Sequence, residues 1–218
     1  MGFRRRTGLS IAIAAGSVLA SSASWAQDQA PAGNARRGAP LANTCLGCHG
    51  IQEYKNAYPN YRVPKLEGQH PEYLASALKA YRGGERSHLT MHSQASSLSD
   101  QDIADIAVYF AGQALKPGTA PEGKAPAAAQ VCVACHGADG VGIAPIYPTL
   151  AGQHPDYLVR ALTEYKKGGR KNPIMAPFAS QLNTEQMQQL AEYYSKQLPA
   201  LKTEERPNSR WSMEEEGS

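Results

Sequence analysis

The sequence predicts an all-α fold arranged as two tandem domains. Three observations lead there: a long internal repeat, apolar residues at helical spacing with no competing strand signal, and a pair of thiols that occurs once in each copy. The stretch from Leu66 to Gln113 aligns without a gap with Leu150 to Gln197, at a constant offset of 84 positions. Within it Gly68-Gln69-His70-Pro71 matches Gly152-Gln153-His154-Pro155, Tyr81 matches Tyr165, Met91 matches Met175, and Tyr109 matches Tyr193. The cysteines repeat at an offset of 87 (Cys45 with Cys132), so the first copy holds three more residues between its thiols and its Gly-Gln-His-Pro. Chance does not produce this pattern; the chain is a tandem duplication.

The elements follow in order. A helix is expected ahead of each thiol pair, over "NARRGAPLANT" and over "EGKAPAAAQV", with Pro40 and Pro126 disturbing both. Pro71 and Pro155 suit the first turn of the next helices, whose apolar residues fall at Tyr73, Leu74, Ala77, Leu78 and Tyr81 in the first copy. Gly83-Gly84 and Gly168-Gly169 end these helices. Ser99 and Asn183 are N-caps of the final helices, with Gln186 completing a capping box in the second copy. Ile103, Ile106, Ala107 and Phe110 form the buried stripe of the first of these. The domains are read as 34–115 and 127–200, with a Pro/Gly-rich linker at 116–126 and a polar tail at 201–218.

The chain begins with Arg4, Arg5 and Arg6, a short apolar run from Leu9 to Ala20, and Ser24-Trp25-Ala26. That order is the form of a cleaved secretory signal over residues 1–26, and the run is too short for a secure membrane span. Its removal takes away three arginines and lowers the formal charge from +3 to 0. A neutral mature chain lacks the basic footprint of a nucleic-acid binder. One local cationic run, "YKKGGRK" from Tyr165 to Lys171, is a candidate docking surface or an ordinary solvated face. With only 3 Phe among 218 residues and two small domains to stabilise, each half needs a staple.

The four cysteines supply it. Two disulfides would be the ordinary reading in an exported protein, and C-x-x-C as a redox pair would want a βαβ setting that is absent here. A zinc ribbon wants its pairs far closer together. What decides is the histidine after each second cysteine: Cys45-x-x-Cys48-His49 and Cys132-x-x-Cys135-His136. C-x-x-C-H attaches c-type haem through two thioethers and sets the imidazole against the iron. The expected cofactors are therefore two covalently bound haem c groups. The second axial ligand is expected from Met91 and Met175, which occupy equivalent places 42 residues after His49 and 39 after His136. The expected iron ligands are thus His49 and Met91, and His136 and Met175. Met187 has Ile103 as its counterpart and reads as packing. His88 and His92 flank Met91 without a histidine in copy two, and His92 is the alternative ligand there. His70 and His154 repeat, but they precede prolines at helix starts, where capping or a hydrogen bond to a ligand's surroundings suits them better.

These motifs together resemble the dihaem cytochrome c4 family. The resemblance rests on tandem C-x-x-C-H domains, each with Pro-x-Leu-x-Gly-Gln before a helix and a Met before the final helix, and covers roughly Asn34 to Leu198. It implies two class I cytochrome c domains facing each other, haem propionates near their boundary, and electron transfer in the periplasm. The implied partners are redox proteins: a quinol-oxidising complex or dehydrogenase as donor and a terminal oxidase as acceptor, with peripheral association at the inner membrane. The chain itself would be no enzyme. A cytochrome subunit of a periplasmic dehydrogenase of flavocytochrome type is the alternative, and a peroxidase or ligand sensor would need an open axial position, against which both methionines argue. The resemblance further implies a proline carbonyl that accepts the proximal histidine's Nδ1 hydrogen, placed at Pro145 and, in the longer first copy, at Pro59. It also implies a small residue of the N-terminal helix against an aromatic of the C-terminal one. Gly38 with Tyr109 fits; Gly123, paired with Tyr193, stands nine residues before Cys132 where Gly38 stands seven before Cys45.

Overall fold

The computed structural model describes residues 1–2, 31–118 and 120–204; the leader from residue 3 on and the tail from 205 lie outside the described residues. Helix α1 (Ala35–Leu41) starts at Asn34, whose side chain accepts from the Arg37 amide. α2 (Leu46–His49) is the single turn carrying Cys48 and His49. α3 (Pro71–Arg82) begins on its proline, as expected, because the missing amide hydrogen would be unpaired in a first turn anyway. α4 (Leu89–Ala95) carries Met91, and α5 (Asp100–Ala111) closes the first domain. The second domain runs through a 3-10 turn (Ala127–Val131), α6 (Val133–His136), α7 (Pro155–Lys167), α8 (Met175–Ser180) and α9 (Thr184–Ser195). Only isolated bridges, and no strand, occur among the described residues. No helix among them is long and apolar enough to cross a membrane.

Both final helices begin with a capping box. Asn183 and Gln186 form the expected one, and Ser99 forms another with Asp102, whose carboxylate accepts from the Ser99 amide at 2.9 Å. The helix expected before the second thiol pair is only the 3-10 turn, which starts after Pro126. In the first domain α1 lies along α5, and Gly38 is the reason it can. A Cβ there would collide with the Asp105 carbonyl and lie 2.9 Å from Tyr109 Cβ. The second domain does without this pairing: Gly123 sits at φ 72° with nothing near it, and Ala129, 1% exposed, takes the place against α9 beside Tyr193. The expectation for Gly123 is thereby corrected, since the shorter, tighter turn needs only a methyl group where a helix needs none.

The domains meet across contacts that exchange residues 84 positions apart. Ser87 N donates to Gly169 O at 2.8 Å and Lys171 N to Glu85 O at 2.7 Å, an antiparallel bridge centred on Arg86 and Arg170. Reciprocal contact between equivalent residues is what a two-fold relation between duplicated units produces. Asymmetric ties add to it: Arg62 with Asp156 at 3.1 Å, and Lys65 Nζ with the Gly152 carbonyl at 2.7 Å. The segment from Leu201 is not loose at its start. Leu201 is 1% exposed with its amide on Ala151 O of the second domain, and Lys202 exchanges backbone hydrogen bonds with Glu67 of the first at 3.0 and 3.1 Å.

Candidate haem sites

Each domain holds one apolar cleft. The first, about 920 Å³ including its mouth, is lined by Cys45, Cys48, His49, Met91 and Phe110 among others; the second, about 850 Å³, is lined by Cys132, His136, Met175, Leu190 and Tyr194 among others. The structure thus brings His49 and Met91 to one cleft and His136 and Met175 to the other. All four thiols are free, so neither C-x-x-C is closed as a disulfide.

The histidines are oriented by backbone carbonyls. His49 Nδ1 lies 3.0 Å from Pro64 O, and His136 Nδ1 lies 2.8 Å from Pro148 O. A carbonyl only accepts, so Nδ1 carries the hydrogen and Nε2 keeps its lone pair, the tautomer a metal ligand needs. Burial pushes both imidazoles below the usual histidine range, which keeps them neutral. The proline carbonyls are not at Pro59 and Pro145. The correction was available in the chain: Pro64 and Pro148 are 84 apart and open the two Pro-x-Leu-x-Gly-Gln runs, whereas Pro59 and Pro145 are not related by that offset.

The methionine helices are capped equivalently despite different residues. His88 Nδ1 accepts from the Met91 amide at 3.3 Å, and Asn172 Oδ1 accepts from the Met175 amide at 2.9 Å. His92 is turned to another use, donating from Nδ1 to Tyr81 O at 2.8 Å. His70 and His154 do not cap their helices with their side chains; His70 Nε2 instead donates to Gly142 O of the other domain at 3.0 Å. Met187, 4% exposed, is core.

Sequence reasoning missed the cations between the clefts. Arg86 and Arg170 are 9% and 3% exposed, each lying over two tyrosine rings: Tyr73 and Tyr81 at 5.5 and 5.4 Å, Tyr157 and Tyr165 at 5.3 and 5.7 Å. Each arginine lines its own domain's cleft. Arg170 is neutralised by Glu164 at 2.6 Å, while no carboxylate among the described residues pairs with Arg86. The repeat offset was the signal that could have found the pair. Arg170 also leaves the candidate docking run, being buried, and Lys166 is occupied in donating to Leu182 O at 2.6 Å.

The residues fit haem c. Cys45 and Cys48 with His49 line the first cleft and Cys132 with His136 the second, and buried guanidinium groups offer a counter-charge for carboxylates. Tyr194 Oη is buried at the second cleft with no partner among the described residues. The sequence model of the cytochrome c family matches residues 35–113 and 120–197. A cytochrome c4 of Pseudomonas aeruginosa is 36% identical over 179 residues, covering 74% of this chain and 88% of that one.

The chain belongs to the dihaem cytochrome c4 family.

The crystal structure of the reduced cytochrome c4 from Pseudomonas stutzeri superposes with a TM-score of 0.60 at 31% identity, covering 76% of this chain and all of that one. A thiosulfate dehydrogenase electron acceptor of Stutzerimonas stutzeri is 31% identical over 175 residues, covering 72% of this chain and 80% of that one. As a cytochrome c4, the chain is an all-α protein of two tandem cytochrome c domains with two covalently bound haem c groups, and it carries electrons.

Proposed function

We propose that this cytochrome c4 passes single electrons between a periplasmic donor and a terminal oxidase, without catalysing a reaction of its own. Cys45 and Cys48, and Cys132 and Cys135, hold the two haems. His49 with Met91, and His136 with Met175, would ligate the two irons. The observation that carries the reading is that each cleft gathers one carbonyl-oriented histidine and one methionine at repeat-equivalent positions. The bound iron supplies a one-electron couple, which thioether ligation biases toward Fe(II) relative to bis-histidine ligation. The protein's part is to keep the imidazoles neutral and oriented, to line the clefts with apolar groups that exclude water, and to leave no axial position for a substrate. The leader-like start at residues 1–26 and the thioether chemistry support export to the periplasm. The boundaries 34–115 and 127–200 describe the two working units.

The test is a redox titration of the purified holoprotein with and without a candidate oxidase, alongside its reaction with carbon monoxide and peroxide. Two low-spin couples, electron delivery to the oxidase and no reaction with either small ligand are the expected results. Rapid carbon monoxide binding by the reduced protein would sink the closed-site reading. A second reading, electron acceptor for a periplasmic dehydrogenase, is favoured by the relatives named as thiosulfate dehydrogenase electron acceptors. Reduction by such a dehydrogenase at turnover rates separates it from the first.

A further inference from the structure

The peptide group that orients each histidine is gripped from the opposite domain. His49 Nδ1 donates to Pro64 O, and the amide hydrogen of that same peptide unit, on Lys65 N, goes to Gln153 Oε1 at 3.0 Å. Gln153 Nε2 then donates to Lys65 O at 3.0 Å. The arrangement is repeated in reverse. His136 Nδ1 donates to Pro148 O, Thr149 N donates to Gln69 Oε1 at 2.8 Å, and Gln69 Nε2 donates to Thr149 O at 3.0 Å. Both glutamines are nearly inaccessible, at 3% and 4% exposed.

We propose that each domain's glutamine sets the reduction potential of the other domain's haem: Gln153 acts on the haem at His49, and Gln69 on the haem at His136. The inference rests on the axial role given to the two histidines above. Its chain of cause is short. Carbonyl and amide of one peptide share a resonance system. An acceptor on the N–H side shifts electron density to the oxygen, so the two hydrogen bonds strengthen each other. A stronger acceptor at Nδ1–H makes the imidazole a more basic ligand, and a more basic ligand favours Fe(III). Each glutamine therefore lowers the potential of the haem across the boundary. Gln153 and Gln69 are positioning residues, acting through a backbone group of the partner domain. Their reciprocal placement also makes domain contact a determinant of both potentials at once.

The experiment uses the full-length holoprotein with Gln153→Met and Gln69→Met, which keep side-chain length and remove the acceptor and donor. Haem methyl signals in paramagnetic NMR report each haem separately, assigned to domains through Met91→Ala and Met175→Ala. For Gln153→Met the Fe(II)/Fe(III) ratio of the first-domain haem at fixed potential should rise about two- to fivefold, or about 18 to 41 mV at 59 mV per tenfold. Gln69→Met should do the same to the second-domain haem, each variant moving its own domain's haem much less. The His49 Nδ1 proton should exchange faster in Gln153→Met and the His136 Nδ1 proton in Gln69→Met. Gln153→Glu keeps the acceptor oxygen, so the first potential should stay at or below the wild-type value. A shift confined to the variant's own domain, equal shifts in both haems, no shift, or a rise in Gln153→Glu would each overturn the proposal. Loss of His/Met signatures in the wild-type protein would instead overturn the ligand assignment on which it stands.

Discussion

Arg86 and Arg170 pair their backbones across the domain boundary, yet among the described residues only Arg170 has a carboxylate to answer its charge. The difference traces to one position. Glu164 binds Arg170 at 2.6 Å, and its counterpart 84 positions earlier is Ala80. The second domain therefore buries an ion pair where the first buries a cation held by Tyr73 Oη at 3.1 Å and by the faces of two tyrosine rings.

Glu164→Gln should expose the consequence. Breaking a buried pair by removing one partner costs about 3 kcal/mol, and less where the amide still accepts one hydrogen bond. Denaturant unfolding should show the loss in the second domain. The potential of the second haem should rise, because an unanswered cation favours Fe(II). An unchanged potential would mean that the charge at Arg170 is not felt at that cleft.

Met91→Ala and Met175→Ala should act one domain at a time. Each iron is held by its own domain, so the sulfur-to-iron band at the red end of the oxidised spectrum should fall by about half in either variant. A full band in both would remove the methionines as ligands.

Acid should weaken the first domain before it reaches the second through this route. Asp105 accepts from Asn34 N at 2.7 Å and pairs with Arg37 at 2.8 Å, and the Arg37 hydrogen bond holds its carboxyl down at about 2. A carboxylate whose pKa falls on folding stabilises the folded state above its unfolded value of 3.8, and that contribution disappears as pH drops from there to about 2. Its counterpart in the second domain is Gln189, which does not titrate. Thermal unfolding followed domain by domain between pH 5 and 2 should show the extra slope in the first domain, and Asp105→Asn should reduce it. What remains is the smaller share of Asp100 and Asp102, whose carboxyls are also held down, by Lys79 and Arg82 and by Ser99.

Gly38→Ala should cost about 1–3 kcal/mol, the range for overpacking against groups that have no room to move. The added carbon meets the Asp105 backbone and Tyr109 Cβ, so α1 must leave α5. Gly123→Ala meets no atom and should cost only the about 1 kcal/mol of a left-handed residue. Equal losses would show that the α1–α5 approach is not tight in solution.

Docking by the second domain should depend on Lys167 and Lys171, which are exposed, and not on Arg170. Neutralising both lysines should slow electron transfer to an acidic partner at low salt and flatten its salt dependence. Above about 0.1 M salt the difference should vanish, since screening acts within about 10 Å. Equal rates at low salt would leave these lysines as solvated helix-end residues.

Much of the site was legible because covalent chemistry and duplication are both local in sequence. Cys45-x-x-Cys48-His49 announces its cofactor within five residues, and the offset of 84 picks out Met91 and Met175 from the other methionines. The same offset would have led to Pro64 and Pro148. Reading forward from the histidine to Pro59 and Pro145 missed them, since a hydrogen bond's partner is chosen by where the loop returns. The ring partner of His70 escaped for a similar reason: its helix start is plain, but the Gly142 carbonyl it donates to lies in the other domain.

The sequence by itself therefore determined the helical repeat, the two haem attachment motifs and the candidate ligands, all of which depend on spacing along one chain. Only the tertiary structure decided how the copies face each other. Gln153 reaching the Pro64–Lys65 peptide, Arg86 pairing its backbone with Arg170, and Lys202 pairing with Glu67 join groups distant in the chain. The glutamine contacts form because buried polar groups must find partners, and the nearest ones belong to the other domain.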